Sequence, residues 1–162
     1  MKNITVFLSL AVILGLLTLD ACQPKKNTEA IAEPAPALPA APAYPALGNR
    51  EISQLYASAD KIDIIFYNLP ISVSQESIAS VRNSVLYISP VGTLLNANCR
   101  PLGRMSWMAK GEIIQEADVY CETGCNYLIF MKDNKPVAAN ALELAGIEFF
   151  KNIISQVEKS KQ

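Results

Sequence analysis

Residues 99–125, CRPLGRMSWMAKGEIIQEADVYCETGC, confine the fold more tightly than any other stretch of the chain. They hold three of the four cysteines, the single tryptophan and two turn signals that end in glycine. Ala109-Lys110-Gly111 and Glu122-Thr123-Gly124 each place Gly last in a three-residue loop, where left-handed backbone costs Gly nothing. The stretch therefore reads as two successive β-hairpins. In the first, Trp107 faces Ile113, Met105 faces Gln115 and Arg104 faces Glu116. In the second, Cys121 faces Cys125, Val119 faces Tyr127 and Ala117 faces Ile129. Side chains alternate along a strand, so this register predicts a buried face of Met105, Trp107, Ile113, Ala117, Val119, Cys121, Cys125, Tyr127, Ile129 and Met131.

The opposite face carries Arg104, Glu116 and Asp118 together with Met108, Ile114, Tyr120, Leu128 and Phe130. Either a helix covers those five apolar residues or they form a surface for a partner. A glycosidase-like role for the two carboxylates is conceivable, but carboxylates two residues apart beside an arginine read as a solvated cross-strand ion pair.

Cys99, Cys121 and Cys125 are expected to gather at one end of the sheet, although Pro101 breaks the backward extension of the first hairpin. In an oxidising compartment they imply one structural disulfide and one thiol left over. Cys99–Cys121 is favoured, because Cys121–Cys125 would close a tiny loop. The competing reading is a thiol or Cu(I) site built from Cys99, Cys121 and Cys125 with Met105 or Met108, since thiolate and thioether suit that ion. The C-x₃-C spacing resembles copper-handling proteins, but their partner histidine is missing here.

Composition narrows the chemistry further. There is no histidine in the 162 residues, which removes the commonest general base and the commonest metal ligand. From Asn49 onward 11 basic residues stand against 12 acidic ones, so there is no basic field for nucleic acid. No cofactor motif is present, and the expectation is a non-enzyme.

The first third of the chain reads as an address and a leash. Met1-Lys2-Asn3 is a short positive region, and Ile4–Leu19 is an apolar run too short for a comfortable membrane span. It ends Leu19-Asp20-Ala21-Cys22. Residues 1–22 thereby resemble bacterial lipoproteins, whose lipobox places Leu three residues before the cysteine and a small residue just before it. Asp20 departs from the usual small or aliphatic residue. The resemblance implies cleavage before Cys22, acylation of its thiol, and anchoring in the outer membrane facing the periplasm, since Gln23 replaces the Asp of inner-membrane retention. Several acyl chains anchor stably, each buried CH₂ adding about 0.8 kcal/mol. Residues 22–48 then form a Pro/Ala-rich tether, EPAPALPAAPAYPAL at its centre, reaching roughly 80 Å if extended as polyproline II.

Residues 49–162 read as a single periplasmic domain. Asn49 is expected to cap a helix over 50–58, and Lys61–Leu69 to form a central strand. Ser72 and Gln75 spell a capping box opening a helix over 73–83. Val85–Ser89 reads as a strand stopped by Pro90. Beyond the hairpins, Pro136–Ala139 reads as a short edge strand. Asn140 and Glu143 spell a second capping box for a helix over 141–158, followed by Lys159. The order α-β-α-β-β-β-β-(β)-α predicts an α+β fold: an antiparallel sheet of five to six strands against a long C-terminal helix. Its element order is loosely similar to TATA-binding-protein-like and helix-grip folds. The functional expectation is an outer-membrane-anchored lipoprotein with a non-catalytic binding or structural domain, whose partner is an envelope protein or the cell wall.

Overall fold

The computed structural model describes residues 43–161. The leader, Cys22 and the tether up to residue 42 lie outside them. The described chain is α+β, with seven antiparallel strands and three helices, the last at the C-terminus. Helix α1 spans Asn49–Ser58, β1 Lys61–Phe66, β2 Ser72–Gln75, α2 Ile78–Val85 and β3 Ile88–Gly92. Strands β4 (Gly103–Ala109), β5 (Glu112–Glu122), β6 (Cys125–Lys132) and β7 (Lys135–Leu142) form a meander, and α3 spans Leu144–Lys159. The sheet order is β2-β1-β4-β5-β6-β7-β3.

Both expected capping boxes are strand instead. Ser72–Gln75 pairs with β1, Ile62 opposite Gln75 and Ile65 opposite Ser72, and α2 starts after Ser77. Asn140 lies inside β7 and α3 starts after Glu143. Likewise Gly48, not Asn49, precedes α1. Pro90 lies within β3 rather than ending it; β3 is an edge strand, where a missing N–H is tolerated. Strand β7 is interior, between β6 and β3, and not an edge.

The hairpin loops hold two residues, not three. Ala109 pairs with Glu112 around Lys110 and Gly111, both at positive φ. Asp60 secures this turn by accepting from the Lys110 amide at 2.7 Å. A bulge between Trp107 and Met108 then restores the expected parity, so Met105 pairs with Ala117 and Trp107 with Gln115. The second hairpin has no such correction. Glu122 pairs with Cys125 around Thr123-Gly124, so Cys121 faces Asn126, Val119 faces Leu128 and Ala117 faces Phe130. One residue of slip turns the whole of β6 over. This register puts Leu128 and Phe130 in the core beneath the helices and moves Cys125, Tyr127, Ile129 and Met131 to the other face, where Cys125 and Tyr127 stay buried under the segment that carries Asn96 and Cys99.

The helices supply the cover for that inner face. Leu55 of α1, Val81 and Val85 of α2 and Phe150 of α3 join Ile62, Ile64, Phe66, Met105, Trp107, Val119, Leu128 and Phe130 in one core. Phe150 meets Phe66 edge-on at 6.3 Å, and Trp107 stacks on Phe130 at 6.4 Å. A buried indole needs an acceptor for its N–H. Trp107 Nε1 donates to Ser84 Oγ at 2.9 Å, and that hydroxyl donates to the Val81 carbonyl at 2.6 Å.

The sheet order forces two crossings. Strands β2 and β3 are opposite edges, so the link through α2 traverses the helix side. From β3 the chain must return to β4 past β7, β6 and β5. Residues 93–102 make that return over the other face, which no helix covers. There Tyr127 Oη donates to the Asn96 carbonyl at 3.4 Å and Cys99 is bonded to Cys125.

The domain also begins earlier than residue 49. The Ala139 amide donates to the Pro45 carbonyl at 2.9 Å. Asn140, fully buried, accepts from the Leu47 amide at 2.7 Å and donates to the carbonyls of Leu47 at 3.1 Å and Ser89 at 2.8 Å. Pro45–Leu47, expected to be tether, is thus part of the folded body.

Candidate functional site

The face without helices is the candidate surface, and its residues come from alternate positions of the central strands. Strand β1 contributes Lys61, Asp63 and Ile65; β4 contributes Arg104, Ser106 and Met108; β5 contributes Glu116, Asp118, Tyr120 and Glu122; β6 contributes Cys125, Tyr127, Ile129 and Met131. Direct pairing puts Arg104 against Asp118 and Ser106 against Glu116, correcting the expected Arg104–Glu116 pair by one pleat.

Arg104 Nε donates to Asp118 Oδ1 at 2.8 Å and its Nη2 to Oδ2 at 3.2 Å, a bidentate pair. Tyr67, just past β1, donates its hydroxyl to the same Oδ1 at 2.9 Å. Ser106 Oγ donates to Glu116 Oε1 at 3.2 Å. Hydrogen bonding to Asp118 holds the Arg104 guanidinium protonated far beyond its ordinary range. Burial, and then the Asp118 carboxylate, raise the Tyr67 phenol. Burial also raises Tyr120 and Tyr127, whose rings stack at 4.6 Å. The result is a row of phenols, Tyr127 buried under the crossing segment and Tyr67 and Tyr120 in the open part, beside the Arg104–Asp118 pair and a looser Lys61–Asp63 pair at 3.7 Å. Asp118 already accepts three hydrogen bonds, so a role as nucleophile would require breaking them.

Apolar side chains flank this polar row. Ile65 is 59% exposed, Tyr67 47% and Ile113 55%. Of the five expected partner-surface residues, Met108, Ile114 and Tyr120 keep partial or full exposure. Leu128 and Phe130 are removed from that set: both are fully buried beneath the helices, a direct consequence of the two-residue turn.

The cysteines divide between the faces. Cys99 and Cys125 form the disulfide, with Cα atoms 6.1 Å apart, which corrects the favoured Cys99–Cys121 pairing. Cys121 is free and buried on the helix side, its sulfur 3.9 Å from the Ile147 carbonyl. Burial raises its thiol, and nearby Lys151 opposes that only in part. Met105 is fully buried on the same inner face. The four-residue Cu(I) set of Cys99, Cys121, Cys125 and Met105 therefore does not assemble: the sheet itself separates the two halves. Instead Cys99 and Cys125 lie with Glu122, their donor atoms all within 4.8 Å of one another. Glu122 was not expected at this place, and only the corrected register, which pairs it with Cys125, reveals it.

Shallow depressions occur elsewhere among the described residues. One of about 250 Å³ lies between α1 and the bulged end of β5, lined by Leu47, Leu55, Ile114 and Gln115. Another of about 450 Å³ separates α2 from α3 beside Tyr87 and Phe149. Neither brings together a nucleophile and a base. Comparison with known proteins finds no match: no family model, no curated protein and no solved structure aligns with the chain.

Proposed function

We propose that this chain is a lipid-anchored protein of the bacterial outer membrane, held on Cys22 and facing the periplasm, whose domain binds an envelope partner without catalysing a reaction. The observation that carries the reading is the open sheet face. It sets half-exposed Ile65, Tyr67 and Ile113 beside a satisfied Arg104–Asp118 pair, a mixture of apolar area and fixed polar groups suited to contact with a macromolecular surface. The lipobox-like Leu19-Asp20-Ala21-Cys22 and the Pro/Ala-rich leash support the location. Glu116 and Asp118 take part as surface polar groups, Asp118 being tied by Arg104 and Tyr67.

Two measurements on intact cells test this. Acyl labelling tests the anchor: wild type incorporates fatty acid and sediments with membranes, whereas C22A does neither. Photo-crosslinkers introduced at Ile65, Met108 or, as a control, Asn152 on α3 test the surface. The reading expects a discrete adduct from the sheet positions only. Adducts of equal yield from Asn152, or none from either sheet position, would refute the binding face.

A further inference from the structure

The disulfide sits inside a second arrangement of donors. Glu122 and Cys125 are cross-strand partners flanking the Thr123-Gly124 turn, so their side chains leave the same face of the sheet side by side. Cys99 is brought over them by the crossing segment 93–102. The two bridged sulfurs and one carboxylate thereby converge within 4.8 Å.

The convergence does not depend on the S–S bond alone. Asn96 is held by Tyr127 Oη, Arg100 N donates to Glu122 Oε1 at 3.1 Å, and Leu102 N donates to the Val119 carbonyl at 2.7 Å. These contacts bracket Cys99 on both sides and keep it above Cys125 when the bond is open. The Arg100 amide also orients the carboxylate, as outer-shell donors do around metal ligands.

We propose that, in the dithiol form, Cys99, Cys125 and Glu122 hold a thiophilic divalent cation of the zinc class, with solvent completing a tetrahedral shell. A tetrahedral site with Zn–S bonds of 2.3 Å separates its two sulfurs by about 3.8 Å, so opening the bridge must let the two bonded sulfurs move apart while the carboxylate stays beside them. The carboxylate decides the class. It is a hard donor, which suits zinc and is foreign to Cu(I), while two thiolates are foreign to calcium and magnesium. Opening the bridge takes two electrons and two protons from an external dithiol, which departs as its own disulfide. The cation then displaces the two thiol protons and forms two metal–sulfur bonds.

The test uses the full chain in detergent with C22S and C121S, so that only the proposed thiols remain. The protein is reduced without oxygen and titrated with Cd²⁺, following the thiolate-to-metal charge-transfer band; Zn²⁺ is then used to compete the Cd²⁺ off. The expected result is one ion per folded chain and a loss of affinity of at least about 10-fold in E122Q, since losing a ligand costs no less than losing an outer-shell partner. C125S should abolish the band. Circular dichroism of each reduced variant reports whether it is folded. Absence of stoichiometric binding by the folded reduced chain would overturn the proposal, as would equal affinity in E122Q, a preference for Cu(I) indifferent to E122Q, or unfolding of the chain on reduction.

Discussion

Asn140→Ala tests whether the domain starts at Pro45. The side chain is fully buried and bridges two backbone segments through three hydrogen bonds, at 2.7, 2.8 and 3.1 Å. Truncation leaves the Leu47 amide and the carbonyls of Leu47 and Ser89 without this partner. An unpaired buried group costs about 1–3 kcal/mol, and Leu47 is only partly buried, so water recovers part of its share. The expected loss is about 3 kcal/mol. With a urea slope of about 1–3 kcal/mol per M, the midpoint falls by about 1–3 M. N140D separates hydrogen bonding from size: it keeps the acceptor for Leu47 N but turns an anion toward two carbonyls, so at neutral pH it should be at least as damaging as alanine. Hydrogen exchange supplies the local readout, because the Leu47 and Ala139 amides should lose protection in N140A while those of β4 and β5 change only with global stability. A midpoint shift below 0.3 M, or unchanged protection at Leu47, would refute the argument that the N-terminal segment is clamped to β7.

Four further outcomes follow from the same structure. C99S/C125S should cost about 3.5 kcal/mol by the chain-entropy account of a bridge spanning 26 residues, whereas C121S should cost less than half as much; equal losses in urea melts would contradict the pairing. F130A should lose about 3–5 kcal/mol and I129A much less, and the reverse order in denaturant titrations would restore the three-residue turn. Tyr67, Tyr87, Tyr120 and Tyr127 all have folded pKa values raised above 10, chiefly by burial, so between the unfolded and folded values the unfolded chain binds fewer protons. Their contribution to stability is therefore flat below about pH 10 and falls above it; alkaline melts that show no such fall, with tyrosinate absorbance appearing before unfolding, would contradict it. Alkylation of Cys121 in the native protein should be slow and should accelerate with denaturant, since burial raises the thiol and shields it; labelling as fast as in a free peptide would refute its placement.

Much of this architecture is legible in the residues. Lys61–Phe66 announces a central strand by its β-branched run, and the periodic Phe149, Phe150, Ile153 and Val157 announce the last helix, because both signals are local. The errors share a cause: local motifs with two readings. Ser72-x-x-Gln75 and Asn140-x-x-Glu143 have the letters of a capping box, yet Ser72 pairs with Ile65 and Asn140 bonds to a residue 93 positions away. A glycine at the end of a loop is compatible with two or three residues. With Thr123-Gly124 as the loop, Leu128 and Phe130 enter the core and Ile129 and Met131 face the other side. That single register decides where Cys125 points, so the disulfide and the neighbouring Glu122 became readable only with the sheet assembled.

On the proposed reading, attachment would load one part of the sheet and contact another. The chain enters the body at Pro45–Leu47, and its first bonds are to Ala139 and Asn140 of β7, a strand paired on both sides. The crossing segment 93–102 is tied at the far ends of β5 and β6 by Cys99–Cys125, by Arg100–Glu122 and by Leu102–Val119. Between these two ties the central strands still present Ile65, Tyr67 and Met108 to solvent. A substitution that frees either tie should change the mobility of its own segment more than the Arg104–Asp118 pair, which β4–β5 pairing and the Tyr67 hydroxyl hold together. Nuclear magnetic resonance shifts of Arg104 Nε–H in N140A and in C99S/C125S measure that independence. A shift change there as large as at Leu47 or Cys99 would show the two roles to be coupled.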